Sequence, residues 1–177
     1  MLKKNYTIGV IGLGYVGLPL AILFAKKKFR VIGFDIDLEK VKKLKKNESY
    51  LKRISKTQIK QIKKKKGTFT NNFELVNKCD CIIICVPTPL KKNKPDLSFI
   101  QNTIKKIYKY LKTKQLIILE STSYPGTTRE LVVEKLNKKF DVGKDFFIGF
   151  SSERINPGEN ENVIDEIPKV ISGYSDK

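Results

Sequence analysis

The stretch TIGVIGLGYVG at residues 7–17 decides the fold. Its first five residues are rich in β-branched side chains and predict a buried strand. The glycines that follow, Gly12, Gly14 and Gly17, have the spacing G-x-G-x-x-G. In that pattern the first glycine permits a tight turn, the second lets a pyrophosphate approach the backbone, and the third allows helix and strand to pack closely. The stretch therefore predicts a dinucleotide-binding turn between a strand and a helix, with a glycine-rich turn that binds nothing as the alternative.

Beyond this turn the chain alternates short apolar runs with segments of helical period. The predicted strands are 7–11, 31–34, 68–70, 81–86, 116–119, 146–150 and 170–171. The predicted helices are 16–27, a helix capped by Asp37 and running through residue 46, and helices at 47–66, 97–111 and 127–136. Such alternation builds βαβ units. We therefore expect an α/β protein with a Rossmann-like, doubly wound parallel sheet, and a single domain that spans residues 1–177.

The chain is strongly basic, with 36 Lys and Arg residues against 18 Asp and Glu residues. A net charge of +18 would suit nucleic acid or an anionic membrane. The excess is almost all lysine, however, whereas arginine is the residue favoured for bidentate contacts to phosphates and bases. Aromatic residues are sparse in the basic stretches, and Lys, Asn and Ile are over-used along the whole chain, as in proteins of AT-rich genomes. We expect no nucleic-acid partner.

Residues 5–25 carry no charge and must be weighed as a membrane segment. Four glycines and Pro19 lie among them, which suits a strand, a turn and a helix better than one long helix. The cysteines Cys79, Cys81 and Cys85 have one parity, so we expect them on one face of a strand. The chain has no histidine and no zinc-type cysteine spacing, so we expect no metal, no membrane segment and a cytoplasmic protein with reduced thiols.

Asp35 bears on the identity of the dinucleotide, because it ends the second predicted strand 18 residues after Gly17. An acid at this point accepts hydrogen bonds from an adenosine ribose diol and repels a 2′-phosphate. The residue therefore favours NAD over NADP, with helix capping as its alternative role. Ligands of open parallel sheets lie across the carboxyl ends of the strands, where residues 87–89, 120–122 and 151–153 also fall.

Four ordered motifs carry a family resemblance: GLGYVGLPLA at 12–21, VPTPL at 86–90, EST at 120–122 and SERINPG at 152–158. Together they resemble the N-terminal domain of the UDP-glucose/GDP-mannose dehydrogenase family, from about Tyr6 to the end of the chain. The last motif is similar to the branch that oxidises UDP-N-acetylhexosamines to uronic acids. Ser152 stands where the family usually has proline, and Pro157 stands where the UDP-glucose branch has a second glutamate.

The resemblance implies roles for individual residues. The positions expected to bind NAD are Gly12, Gly14, Tyr15, Val16, Gly17, Asp35, Lys40, Thr88 and Thr122. The expected catalytic residues are Thr122, which would orient a water, and Glu153, which would act through that water as an acid–base. The residues expected on the sugar side are Glu153, Arg154, Ile155 and Asn156. Solvated surface positions are the alternative for Lys40, Glu153 and Arg154.

The resemblance also implies a reaction, in which the C6 alcohol of a UDP-sugar is oxidised to a carboxylate in two NAD-dependent steps. In the family a cysteine of the second half captures the intermediate aldehyde. This chain has no counterpart of that half, so we expect an NAD-binding half that is inactive alone. A C-terminal half or a second polypeptide would complete it, and the intact enzyme is expected to be a homo-oligomer. The alternatives are a stand-alone dinucleotide-binding module without catalysis and a fragment of another Rossmann dehydrogenase that acts on hydroxyacids.

Overall fold

The computed structural model describes residues 6–152 and 169–175. Its main sheet has seven strands in the order β3-β2-β1-β4-β7-β8-β9, and β5 and β6 form a separate hairpin. The strands are β1 (Thr7–Ile11), β2 (Arg30–Phe34), β3 (Thr68–Thr70), β4 (Cys81–Ile84), β5 (Leu90–Lys91), β6 (Lys94–Pro95), β7 (Leu116–Leu119), β8 (Phe147–Ser151) and β9 (Ile171–Gly173). Neighbouring strands of the main sheet are parallel, except that β9 runs antiparallel to β8.

The helices cover both faces of the sheet. They are α1 (Gly17–Lys26), α2 (Leu38–Lys45), α3 (Lys56–Lys64), α4 (Ser98–Ile107) and α5 (Glu134–Leu136). A π-helix at Thr128–Val133 precedes α5, and 3-10 helices lie at Phe73–Lys78 and Tyr108–Tyr110. One apolar core joins residues of α1, α2 and α3 to one face of the sheet, and a second core joins α4 and the π-helix to the other. The predicted doubly wound sheet is therefore confirmed.

The continuous apolar runs explain why the central strands form. Each residue of β1 is buried, and in β4 Ile82, Ile83 and Ile84 are almost completely inaccessible. A parallel strand packed on both faces has no position for a solvated side chain, which is why the run does not alternate with polar residues. After β1 the chain builds β2 and β3 on one side and then crosses to β4 on the other. This reversal leaves a crevice at the carboxyl ends of β1 and β4, where ligands of such sheets bind.

The predicted helix at 47–66 is wrong in its first half, because only Lys56–Lys64 is helical. Asn47 has the left-handed backbone angle φ of 64°, and its N–H donates to the Leu44 carbonyl, which ends α2. Ser55 then caps α3 in a reciprocal arrangement with Gln58. The apolar period predicted one continuous helix at 47–66, but the left-handed Asn47 ends α2 and the capping box at Ser55 starts α3.

The expectation that the three cysteines share one strand face is also wrong. The strand begins at Cys81, so Cys79 lies before it, at the end of a 3-10 helix. Cys79 is buried in the core with Phe34 and Ile82, whereas Cys81 and Cys85 pack against the core on the other face. Residues two apart lie on the same face only within a continuous strand. Here the chain bends between positions 79 and 81, so the rule does not apply to Cys79.

No helix within residues 6–152 or 169–175 is long and apolar enough to cross a membrane. The uncharged segment predicted to be a strand, a turn and a helix start forms β1, the glycine turn and the ten-residue helix α1. Pro19 lies in the first turn of α1, where its missing N–H group breaks no helical hydrogen bond.

We expect replacement of Ile82 by Ala to lower the free energy of unfolding by about 2–5 kcal/mol, because it removes a fully buried side chain from the central strand. The matched control is Ile171→Ala on the edge strand β9, where the side chain is 66% exposed. That control should change the free energy of unfolding by no more than about 0.5 kcal/mol. Urea unfolding followed by circular dichroism measures both, and equal losses would contradict this assignment of core and edge.

Candidate functional site

The glycine loop, residues 12–16, joins β1 to α1 at the crevice between β1 and β4. The Gly12 N–H donates to the Phe34 carbonyl at 2.8 Å, which ties the loop to the end of β2. Gly12 has a φ of 91°, and a Cβ added to it would lie 2.6 Å from the Cys85 carbonyl oxygen. Only glycine fits such a position, so the chain itself requires Gly12.

Gly17 and Gly14 differ in what requires them. A Cβ on Gly17 would lie 1.8 Å from the Gly12 carbonyl oxygen, so the packing of α1 against the loop requires glycine there. A Cβ on Gly14 would have no neighbour within 4 Å among the described residues other than the adjoining positions 13 and 15, and the φ of Gly14 is not in the left-handed region. The described part of the chain therefore has no steric need for glycine at position 14. The open space over Gly14 fits the close approach of a pyrophosphate.

The N-terminus of α1 faces this space without a side-chain cap. Val16 is the N-cap residue and makes no capping hydrogen bond, and the first turn has no acidic residue. At this end the Leu18 N–H already donates to the Gly14 carbonyl at 3.1 Å and Pro19 has no N–H, so the helix contributes mainly the partial positive charge of its dipole. Phosphates bind at helix N-termini of this kind in dinucleotide sites. Tyr15 is 68% exposed beside this helix start, and Val16 is half-buried.

Asp35 is buried at the end of β2, and both of its carboxylate oxygens accept backbone hydrogen bonds. Oδ2 accepts from the Leu13 N–H at 2.9 Å, and Oδ1 accepts from the Asp37 N–H at 2.9 Å. The N-cap of α2 is Asp37, not Asp35, because the Asp37 side chain accepts from Glu39 and Lys40. An ionised carboxylate has about four acceptor positions. Asp35 thus holds the glycine loop and keeps acceptor capacity for a ribose diol.

Sequence reasoning missed Tyr50, which the structure places against the glycine loop. Its hydroxyl donates to the Leu13 carbonyl, and the Lys40 Nζ lies 5.5 Å from the centroid of its ring. Burial, with the negative charges of Asp35 and Asp37 adding to it, raises the pKa of the Tyr50 hydroxyl well above its ordinary value. The hydroxyl therefore remains a donor at neutral pH. No motif marks Tyr50, because it lies in the segment that the apolar period assigned to a helix.

The loops after β4 and β7 meet beside the glycine loop. The Ser121 hydroxyl donates to the Val86 carbonyl at 2.7 Å, which links the two loops. Thr88 is half-buried after β4, and Thr122 is exposed after β7. Both therefore lie at the same edge of the sheet as Asp35, as expected for strands that end at one crevice. The sugar-side positions Glu153, Arg154, Ile155 and Asn156 lie outside the described residues.

An ion pair with one buried partner, Glu120, supports the loop after β7. The Lys169 Nζ lies 2.6 Å from the Glu120 Oε2, and the Glu120 side chain is only 6% exposed. The pair joins the end of β7 to the segment that leads into β9. Breaking such a pair leaves an uncompensated buried charge, so it holds these two segments together.

The thiols of Cys79 and Cys81 are not activated, and they lie before and at the start of β4, away from the crevice at its carboxyl end. Burial raises the pKa of Cys79 and of Cys81 to about 12. A thiol with such a pKa is protonated at neutral pH and is a poor nucleophile. No group of three or more His, Cys, Asp or Glu residues suited to a metal ion occurs within the described ranges.

The parallel sheet, the glycine turn at its crevice and the buried acid at the end of β2 define a dinucleotide-binding domain of the Rossmann type. A model of the UDP-glucose/GDP-mannose dehydrogenase family, NAD binding domain, matches residues 6–177. The chain belongs to this family, and its cofactor is NAD.

Similar proteins cover nearly the whole chain. UDP-N-acetyl-D-glucosamine 6-dehydrogenase of Pseudomonas aeruginosa is 40% identical over 96% of the chain, which spans 40% of that protein. Protein CapL of Staphylococcus aureus is 42% identical over 97% of the chain, again 40% of the relative. The structure of a UDP-D-ManNAc dehydrogenase from Pyrococcus horikoshii superposes with a TM-score of 0.89 at 32% identity, covering 96% of this chain and 41% of that one. The chain thus spans about 40% of the length of these relatives.

Glycine is required at position 17 by packing and is expected at position 14 because of the pyrophosphate, so alanine should have different effects at the two positions. Gly14→Ala places a methyl group in open space, so the free protein should unfold at an unchanged urea midpoint while its NAD affinity falls by about tenfold or more. Gly17→Ala should instead lower the free energy of unfolding by about 1–3 kcal/mol, because its Cβ overlaps the Gly12 carbonyl. Urea titration and calorimetric NAD titration separate the two, and unchanged NAD affinity of Gly14→Ala would refute the placement of the pyrophosphate.

Asp35 should make the chain prefer NAD to NADP, because its carboxylate repels a 2′-phosphate. Asp35→Asn removes the charge and also one of the two backbone hydrogen bonds, because an amide nitrogen cannot accept from an N–H group. That loss weakens both cofactors alike, so the preference is judged from the ratio of the NADP and NAD dissociation constants, which we expect to fall by about tenfold. Asp37→Asn is the control, since Asn also caps helices well and the preference should persist. Calorimetric titration with both cofactors measures the ratio. Equal affinity of the unchanged protein for NAD and NADP would count against this role.

Proposed function

We propose that this chain is the NAD-binding half of a UDP-N-acetylhexosamine 6-dehydrogenase, which oxidises the C6 alcohol of the sugar to a uronic acid for polysaccharide biosynthesis. The observation that carries the proposal is the 40% identity to UDP-N-acetyl-D-glucosamine 6-dehydrogenase of Pseudomonas aeruginosa over 96% of the chain. The similarity to the structure of a UDP-D-ManNAc dehydrogenase from Pyrococcus horikoshii supports the same class of substrate.

The proposed NAD site uses the residues at the crevice. The amides of the glycine loop and the start of α1 bind the pyrophosphate, and Asp35 accepts hydrogen bonds from the adenosine ribose. Lys40 extends over the Tyr50 ring beside Asp35, so its ammonium group contributes positive charge on the adenosine side. Thr88 and Thr122 contact the cofactor from the loops after β4 and β7. When bound, NAD supplies the two-electron acceptor that oxidation of an alcohol requires.

The proposed catalytic residues are Thr122 and Glu153. The backbone around Thr122 is held by the Ser121 hydroxyl bond to Val86 and by the Glu120–Lys169 ion pair, while the Thr122 side chain stays exposed. A hydroxyl on a fixed backbone can orient a water molecule, and a nearby glutamate can exchange protons with it. Glu153 follows β8 by two residues and is proposed for that exchange. Arg154, Ile155 and Asn156 would then line the sugar side.

The proposed partner is a polypeptide that supplies a UDP-binding surface and a nucleophilic cysteine. Two of the three cysteines in this chain, Cys79 and Cys81, have pKa values raised to about 12 by burial, which does not suit capture of an aldehyde. Cys85 lies beneath the glycine loop, where its carbonyl meets Gly12. We further propose that the intact enzyme acts on a UDP-sugar in the cytoplasm as a homo-oligomer.

The chain alone should bind NAD but form no NADH with UDP-GlcNAc, UDP-GalNAc or UDP-ManNAc. A chimera tests the complete function, with this chain replacing the matching N-terminal 40% of the Pseudomonas aeruginosa relative. The chimera should form NADH with one of the three sugars, and Glu153→Gln should slow it by about 100-fold or more. Glu74→Gln, at an exposed position in a 3-10 helix, is the matched control and should be neutral.

Two results would contradict the proposal. Turnover by the chain alone at about 1 per second or faster would mean that the chemistry lies within it. A chimera that binds NAD but oxidises none of the three sugars would favour the alternative of a dinucleotide-binding module without this activity.

A further inference from the structure

We propose that Tyr50 is a positioning residue for dinucleotide binding, because its hydroxyl orients the peptide that presents the Gly14 amide to the phosphate. The inference rests on the proposed binding of NAD at the glycine loop. It concerns a residue 37 positions away from the loop in sequence, carried by the segment between α2 and α3.

The segment at 46–55 is built to hold Tyr50 in place. At its start the Glu48 N–H donates to the Lys43 carbonyl at 2.9 Å, which completes the C-terminal stop of α2. The Ser49 hydroxyl donates to the Leu51 carbonyl at 2.8 Å and accepts from the Leu51 N–H. Leu51 and Ile54 are buried in the core on the α1 side of the sheet. Tyr50 therefore projects from a segment that is fixed on both sides of it.

Both polar backbone groups of Leu13 are bound by side chains from outside the glycine loop. Its N–H donates to Asp35 Oδ2, and its carbonyl accepts from the Tyr50 hydroxyl. The Leu13 side chain is completely buried, so neither end of the residue is free to turn. A loop that must bind phosphate through its amides is thus held before any ligand arrives.

Because the peptide bond is planar, the hydrogen bond from Tyr50 to the Leu13 carbonyl also fixes the direction of the Gly14 N–H. The Leu13 carbonyl and the Gly14 N–H belong to one trans peptide unit, in which they point to opposite sides. With the carbonyl held toward Tyr50, the Gly14 amide points away from Tyr50. No acceptor among residues 6–152 and 169–175 takes a hydrogen bond from that amide, and the space over Gly14 is open. Loss of the Tyr50 hydroxyl would let this peptide rotate.

The surroundings of Tyr50 keep it a donor. The Lys40 ammonium covers its ring, an arrangement that adds a cation–π attraction. Burial and the nearby carboxylates of Asp35 and Asp37 disfavour its ionised form and raise its pKa. A protonated phenol supplies one hydrogen bond donor, and the Leu13 carbonyl receives it.

The test compares ligands with and without phosphates in the full chain. In Tyr50→Phe the ring and its contact with Lys40 remain, and only the hydroxyl is lost. We expect the dissociation constants for NAD and ADP to rise by about fivefold, the effect of one lost hydrogen bond. Adenosine, which carries no phosphate, should bind as before. Titrations followed by amide chemical shifts resolve the weak binding of adenosine as well as that of NAD.

Tyr108→Phe is the matched control, because Tyr108 packs against the core on the opposite side of the sheet from Leu13. It should change no dissociation constant. Equal weakening of ADP and adenosine by Tyr50→Phe, or no weakening of ADP, would overturn the positioning role. A wild-type chain that binds no NAD would instead refute the proposed NAD site itself, so the two failures are distinguishable.

Discussion

The backbone of Gly12 lies between the ends of two strands, and its position governs the whole edge of the sheet. Its N–H bonds to β2 through the Phe34 carbonyl, and its α-carbon sits against the Cys85 carbonyl just past β4. With that contact made, the chain must turn sharply, and Gly17 must approach the Gly12 carbonyl as α1 begins. The helix start, the open space over Gly14 and the buried position of Asp35 all depend on this close approach.

The sheet was largely predictable because its determinants are local. A run such as 81–86 has no solvated position, and that property of the sequence is enough to indicate a parallel strand buried on both faces. The N-cap at Asp37 was predictable for the same reason, since its carboxylate accepts from N–H groups only two and three residues further along the chain. What could not be predicted were the places where two local signals compete. At 47–55 a helical period coincides with a left-handed Asn47 and a hydroxyl that bonds to its own segment, and the stop prevails.

The candidate site also contains residues that were predictable from the sequence and residues that were not. The glycine loop, Asp35, Thr88 and Thr122 were predictable as a group, because strand ends of a parallel sheet meet at one edge. Their roles remain proposals, and so do those of the residues at 153–156. Tyr50 and the Glu120–Lys169 pair were not predictable, because each joins segments 37 or 49 positions apart through a single side-chain contact. No spacing pattern encodes such a contact. Tyr50 lies within the segment where the helix prediction failed, and failures of local rules are expected at functional or strained sites.

The open α-carbon of Gly14 has a consequence for how relatives of this protein can be interpreted. Gly12 and Gly17 are required by the fold, so a descendant that no longer used a dinucleotide would still have to keep them. Gly14 has no such requirement within residues 6–152 and 169–175, where a methyl group at that position would contact no residue beyond its own chain neighbours. Genetic drift would therefore act on position 14 first. A relative that keeps the glycines at positions 12 and 17 but has a side chain at position 14 would therefore be expected to have lost dinucleotide binding.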